Sequence, residues 1–260
     1  NEIMKFVTEK AKIVESLQNA AAIAERRQTI PILANLRLKI IDERLEVTAT
    51  DLEIQIKTFS DLLEIKEEGE TTVSARKMSE LCRSLPDNEN VEFSLDNGKL
   101  SVSSRNFNAD FATISSDDFP EIEINEEQRP ISIDSAKFKR LLTKTSFSMA
   151  SQDVRYYLNG MLLEIGAGKI NGVATDGHRL AFSSVEAGII DLETRNILPR
   201  KAVLELAKLL SSNNESIELL IGASYVDIRT ENLRFCSKLI DGKYPDYDKV
   251  FPSGDSFPLE

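Results

Sequence analysis

The sequence predicts an α+β protein built as two tandem copies of one domain, each with two helices and antiparallel sheet. Three observations carry this: a repeat at a fixed offset of 125 residues, apolar residues alternating at strand period, and four amphipathic stretches at helical period.

The repeat is plainest at "VATDGHRLAF", where Ala174-Thr175-Asp176 falls 125 residues after Ala49-Thr50-Asp51 in "VTATDLEIQI". At the same offset "AKIVESL" meets "AKFKRLL", "PILANL" meets "YYLNGM", and Phe119-Pro120 meets Tyr244-Pro245. "SARKMSEL" answers "LPRKAVLEL" after a slip of one residue, and "NVEFSL" answers "SIELLI". Ordered matches over the whole length indicate a duplication.

Each copy then reads alike. A short strand ("MKFVTE", "RPISID") leads into a helix whose apolar residues recur at i, i+3 and i+4: Ile13, Leu17 and Ala20-Ala21, then Phe138, Leu141-Leu142 and Thr145. "LEVTATDLEIQIKTF" alternates as strand, tight turn, strand. A second helix follows, capped by Ser74 in the first copy and begun by Pro199 in the second. Two more strands come next, joined in the first copy by Asp96-Asn97-Gly98, a good hairpin turn. Each copy thus holds two helices and roughly seven or eight strands. The acidic "INEEQRP" has linker composition and separates domains expected at 4–125 and 130–252.

The chain's 260 residues, 41% hydrophobic and 29% charged, suffice for two domains with their own cores. No apolar run approaches the ~20 residues that span a bilayer, and no membrane partner is expected. Asn1-Glu2-Ile3 precede an internal Met4 and read as a vector scar. Cys82 and Cys236 make neither a disulfide framework nor a metal site, so a reducing cytoplasm is the expected compartment, with no cofactor and no metal.

The net charge of −11 argues against a nucleic-acid partner until the charges are located. The predicted helical segments 8–27, 74–85, 134–150 and 199–212 hold 14 basic and 6 acidic residues; the rest of the chain holds 18 and 37. Basic helices beside acidic strands and loops point to one helical face turned toward a polyanion. Lys12, Arg76, Arg83, Lys139, Lys144, Lys201 and Lys208 are diffuse candidates on that face, none individually decisive.

His178 is the only histidine. Beside Thr175 and Asp176 it suggests a general base, but no nucleophile, second carboxylate or metal-ligand set is recognisable around it, and an enzyme is not expected.

"LPILANL", "QDVRYYLNGM", "ATDGHRLA" and "KLIDGKYPDY", together with the tandem repeat and basic helices, resemble the bacterial sliding clamp, the processivity subunit of the replicative DNA polymerase. The resemblance covers essentially the whole chain. It implies tandem clamp domains with helices on an inner face and sheets outside, no catalysis, and a head-to-tail homodimer of three-domain protomers encircling duplex DNA. It implies, too, that residues 253–260 open a third repeat cut short, and that a strand near residues 105–112, with Phe107, Ala109 and Phe111 on one face, is left as an open edge. A two-domain piece alone would serve as a peptide-binding module unable to close around DNA.

The resemblance assigns a peptide pocket to Leu158, Thr175, Gly177, His178, Arg179, Leu180, Pro245, Lys249 and Val250, with Lys249 where the family often has Arg. The pocket would take a Gln-Leu-x-Leu-Phe type motif from polymerase, clamp-loader and repair proteins. DNA contact is expected from Arg27, Gln152, Arg155, Tyr156 and Tyr157. A plain reading of Tyr156 and Tyr157 instead starts a β-strand there.

Overall fold

The computed structural model describes residues 3–24, 30–122, 130–188, 192–213 and 215–250. Arg27, most of the expected linker and the expected third-repeat residues 253–260 lie outside them. The first copy runs β1 (Ile3–Glu9), α1 (Lys10–Ala21), β2 (Asn35–Ile41), β3 (Arg44–Thr50), β4 (Ile54–Asp61), β5 (Glu64–Glu67), β6 (Glu70–Ser74), α2 (Ala75–Ser84), β7 (Asn90–Asp96), β8 (Lys99–Ser104) and β9 (Phe107–Ile114). The second runs β10 (Ile131–Asp134), α3 (Ser135–Thr145), β11 (Gly160–Gly166), β12 (Lys169–Thr175), β13 (Leu180–Glu186), β14 (Thr194–Pro199), α4 (Arg200–Leu209), β15 (Ser216–Ile221), β16 (Tyr225–Arg229) and β17 (Leu233–Lys238).

The α+β expectation holds, with nine strands in the first copy against the seven or eight expected. The extra one is β5, a short strand that pairs with β1 and carries no buried residue, so no alternation marked it. The helices follow their apolar spacing: α1 buries Ile13, Leu17 and Ala20, and α3 buries Phe138, Leu141, Leu142 and Thr145. Ser74 Oγ accepts the Lys77 amide at 3.3 Å and Asp134 Oδ1 the Lys137 amide at 2.9 Å, so α2 and α3 start on side-chain caps. Helix α1 is shorter than expected, because Thr8 and Glu9 complete β1. Asn97 (φ 49°) and Gly98 (φ 74°) take the left-handed pair that joins β7 to β8.

All named strand pairs are antiparallel. One sheet of 13 strands crosses from copy to copy through β17 and β4, in register from Leu233↔Thr58 to Ser237↔Ile54. A second sheet orders β13-β12-β11-β14. Apolar residues of both copies form one connected core, including the stacked Phe6 and Phe93 rings at 4.9 Å.

Helix α1 and the C-terminal end of α4 flank one side of the joint between copies. Helix α1 packs on β3 and β4, and a groove of about 280 Å³ lies between α1 and the C-terminal end of α4. The opposite face of β2–β4 carries a strap. There Arg37 pairs with Glu46 at 3.1 Å and with Glu121, and its guanidinium lies 5.4 Å from the Phe119 ring centre. Lys57 meets Glu46 and Glu121 at 3.4 and 3.5 Å, and the Ile122 amide donates to Gln55 Oε1 at 2.9 Å.

The expected open edge is visible. Strand β9 pairs with β8 from Phe107 to Ala112 but meets β6 only at Thr113 and Ile114. Phe107, Ala109 and Phe111 share its half-buried face.

Candidate functional site

The second Ala-Thr-Asp closes β12 with a tight turn. Asp176 Oδ1 accepts the amides of His178 and Arg179 at 2.9 and 3.1 Å, and these bonds, that of His178 foremost, lower its carboxyl pKa. Thr175 Oγ1 accepts the Gly177 amide at 3.1 Å and donates to the Arg179 carbonyl at 2.6 Å. The turn delivers Leu180 into the first position of β13. Gly177 sits at φ 90°, and a Cβ there would lie 3.0 Å from Arg155 Nη1, so glycine avoids both backbone strain and pressure on the arginine.

The loop of residues 150–159 packs against that turn. The Asp153 amide donates to Asn159 Oδ1 and Asn159 Nδ2 donates to the Asp153 carbonyl, both at 2.9 Å. Arg155 returns to the Asp153 carboxylate through Nε at 3.0 Å and Nη2 at 2.8 Å, and Nη2 reaches the Asp176 carbonyl at 3.3 Å. The Arg155 hydrogen bond is the main reason Asp153 titrates at about 2. Tyr156–Leu158 forms a short 3-10 turn, so the two tyrosines do not start a strand.

The third wall is the extended segment after β17. Tyr244 is buried, and its hydroxyl accepts the Thr175 amide at 3.0 Å; burial pushes its pKa to about 12. Tyr247 donates to Glu164 Oε1 at 2.8 Å, and its pKa is raised by burial and by that carboxylate. A small apolar cluster of Leu158, Leu162, Val173, Ile197 and both tyrosines supports the three walls from below.

Between them lies a cleft of about 350 Å³. Leu158, Thr175, Gly177, His178, Arg179, Leu180, Pro245 and Val250 line it, eight of the nine residues the sequence reading grouped together. Lys249 does not line it; its ammonium pairs with Asp246 at 2.8 Å and stands 81% exposed. Tyr247 was missed; it opens the 3-10 turn Tyr247–Val250, which carries it into the cleft two residues beyond Pro245. Arg155 and Tyr157, expected at DNA, line this cleft as well.

His178 is exposed, and its imidazole makes no hydrogen bond among the described residues. No group of His, Cys, Asp and Glu among the described residues is arranged to hold a metal, and Cys82 and Cys236 are buried with thiols pushed to about 11 and about 12 by desolvation. No helix among the described residues is long and apolar enough to cross a membrane.

The basic candidates separate into three kinds. Lys144 is exposed in the last turn of α3. Lys139 is half-buried and donates to the Leu210 carbonyl at 2.9 Å, capping the C-terminal end of α4. Lys201 pairs with Asp51 across the joint between the copies. Gln152 is exposed at φ 58°, and Tyr156 is 56% exposed at the edge of the loop.

Comparison with known proteins sets this geometry in a family. Residues 4–123 match the family model described as DNA polymerase III beta subunit, N-terminal domain, and residues 132–246 match that of the central domain. The chain belongs to the sliding-clamp family of DNA polymerase III beta subunits. The beta sliding clamp of Pseudomonas aeruginosa is 40% identical over 252 residues, which cover 96% of this chain and 69% of that protein. A solved sliding clamp of that organism, bound to griselimycin, superposes with a TM-score of 0.93 at 40% identity, over 96% of this chain and 68% of the other. The sliding clamp of Bacillus subtilis, only 28% identical, still superposes with a TM-score of 0.92 over 98% of this chain and 69% of that one. The tandem clamp domains that the resemblance implies are therefore the fold this chain has.

Proposed function

We propose that this chain works as a DNA polymerase processivity scaffold without catalysis of its own, and that the cleft of its second domain docks a short linear peptide. The observation that carries the reading is convergence. Residues from three separate stretches, 155–158, 175–180 and 245–250, enclose one cleft with an apolar floor and a polar edge. Two apolar anchors of a Gln-Leu-x-Leu-Phe type peptide suit such a cleft, each contributing ~1.5–3 kcal/mol if fully enclosed. Replicative polymerase, clamp-loader and repair proteins are the partners this motif implies.

The DNA side of the proposal rests on the helices. Lys137, Arg140 and Lys144 of α3 and Lys201 and Lys208 of α4 are exposed, and phosphate attraction to such cations is sequence-independent and salt-sensitive. Ring closure in a homodimer would use the open edge of β9, whose Phe107–Ala112 backbone offers unpaired donors and acceptors on one side.

Fluorescence anisotropy with a labelled Gln-Leu-x-Leu-Phe peptide tests the cleft. Leu180→Asp should abolish binding by placing a desolvated carboxylate among apolar neighbours. His178→Ala should lose far less, since only its exposed side chain is removed. Equal losses from the two variants would overturn this account of the cleft.

A further inference from the structure

The segment 242–247 is a ridge with a concavity on each side. Pro245 and Tyr247 face the cleft described above, whereas Tyr244 and Asp246 line a second hollow of about 510 Å³ behind it. Gly242 and Lys243 line the second hollow as well, and Tyr247 opens a short 3-10 turn that runs to Val250. Leu162, Ile197 and Tyr244 give the second hollow a buried apolar floor, and Arg195 and Lys243 stand exposed at its rim.

The rim charges are held in different ways. Arg195 is oriented, with Nη1 paired to Glu164 at 3.1 Å and its guanidinium 5.7 Å from the centre of the Tyr247 ring. A planar guanidinium fixed on one side keeps donors free on the other. Lys243 has no ion-pair partner among the described residues, and Asp246 is neutralised by Lys249 at 2.8 Å. The hollow thus presents one cation unpaired among the described residues, Lys243, beside the remaining donors of the paired Arg195, on a chain whose net charge is −11.

We propose that this second hollow is a specificity site for an acidic side chain of the same peptide that the cleft docks, lying just outside the apolar anchors. The inference rests on the cleft reading above. The reach is short: a ridge one extended chain wide is ~5 Å across, as between neighbouring strands, and about two residues at ~3.3 Å each cross it. A glutamate there lays its methylenes on Leu162 and Ile197 and its carboxylate between Arg195 and Lys243. An acidic flank is repelled by the acidic strands and loops over most of the surface, so these two cations give it a preferred place.

The test is, for each flank, a cycle of four titrations, read by anisotropy at low and moderate salt. Peptides with the same two apolar anchors and either glutamate or alanine flanks, on the N- and C-terminal side in turn, are measured on the unaltered protein and on Lys243→Glu. On the unaltered protein, one glutamate-flanked peptide should bind about threefold tighter than its alanine counterpart, an advantage that salt erodes. On Lys243→Glu the preference should vanish or invert, and a lysine-flanked peptide should gain instead. A glutamate preference that Lys243→Glu leaves intact, or no preference with either flank, overturns this inference and leaves the cleft standing. Failure of all the peptides to bind the unaltered protein overturns the cleft reading, and this inference with it.

Discussion

The turns at residues 50–54 and 175–179 make the same bonds for different ends. In the first, Asp51 Oδ1 accepts the Glu53 and Ile54 amides at 2.9 and 2.7 Å, while Thr50 Oγ1 accepts the Leu52 amide at 3.0 Å and donates to the Ile54 carbonyl at 2.8 Å. Asp176 and Thr175 repeat every one of these bonds 125 residues later. The geometry belongs to the Thr-Asp pair. The second carboxylate oxygen differs: Asp51 Oδ2 takes Lys201 from the other domain, whereas Asp176 Oδ2 takes Arg179 Nε of its own turn at 3.1 Å. One copy of the turn joins domains and the other walls a cleft. Duplication supplied the scaffold, and the neighbours set the use.

Removing each aspartate should separate those uses. Asp51→Ala strips two amides of their acceptor and leaves Lys201 without its partner, so it should cost about 2–3 kcal/mol, read as a fall in the urea midpoint. Asp176→Ala should cost less, about 1–2 kcal/mol, because that turn is more exposed, but should weaken peptide binding, which Asp51→Ala leaves alone. Identical effects on both readouts would mean that the two turns are not specialised.

The third position of the turn sharpens the comparison. Leu52 (φ 75°) and Gly177 (φ 90°) both take a left-handed conformation, and only the second faces an arginine 3.0 Å from where a Cβ would stand. Gly177→Leu should therefore lose about 1–2 kcal/mol in backbone strain and displace Arg155 from the cleft wall. Leu52→Gly should change stability by less than about 1 kcal/mol, since relieved strain is offset by the greater freedom of an unfolded glycine. Thermal melts of the pair check this.

The helices repeat the lesson with a shift. Lys10 Nζ donates to the Leu85 carbonyl at 2.5 Å and Lys139 Nζ to the Leu210 carbonyl at 2.9 Å. The acceptors are 125 residues apart, but the donors are 129 apart, one helical turn displaced. In each domain a lysine of the first helix caps the second. Lys10→Met and Lys139→Met should each lose about 1 kcal/mol of stability. Lys144→Glu should stay within about 0.5 kcal/mol yet lower DNA retention in a salt-dependent way.

Those lysines show where sequence reading stops. Period and offset located the four helices, the long strands and the turn residues, because each of these is written locally. A count of basic residues on a helix face is also local, but it does not say which cation is already engaged: Lys139 and Lys144 look alike until Leu210 is seen beside one of them. Arg155 and Tyr157 sit in a stretch that reads as one loop, and only the fold against Gly177 turns both toward the cleft. The basic hollow at Arg195 and Lys243 joins residues 48 positions apart, and nothing local in the sequence brings the two together. Lys57, which alternation places on an exposed face, is instead bound into the Arg37–Glu46–Glu121 strap.

The smallest effect expected separates the copies by acid. Asp153 is held at about 2, against the ordinary aspartate value of 3.8, chiefly by the Arg155 side chain. A carboxyl whose pKa is depressed in the folded state stabilises that state above its unfolded pKa, and the contribution fades as pH falls toward the folded value. The loop of residues 150–159 should thus lose support between about pH 4 and pH 2. At the offset of 125 the first copy has Gln28 opposite Asp153, a side chain that does not titrate; the depressed carboxyls of the first copy, Asp87, Glu92, Asp110 and Glu121, lie elsewhere. The difference in urea midpoint between the unaltered protein and Asp153→Asn should be constant above about pH 5 and shrink as the pH approaches 2. Tyr157 intrinsic fluorescence is no guide with several tyrosines present, so amide exchange of residues 150–159 gives the local readout. Protection that survives at pH 2 as at pH 6 would show that the Asp153–Asn159 amide bonds hold the loop without the Arg155 ion pair, and that this cleft wall, unlike the turn at Asp51, does not depend on an aspartate carboxylate.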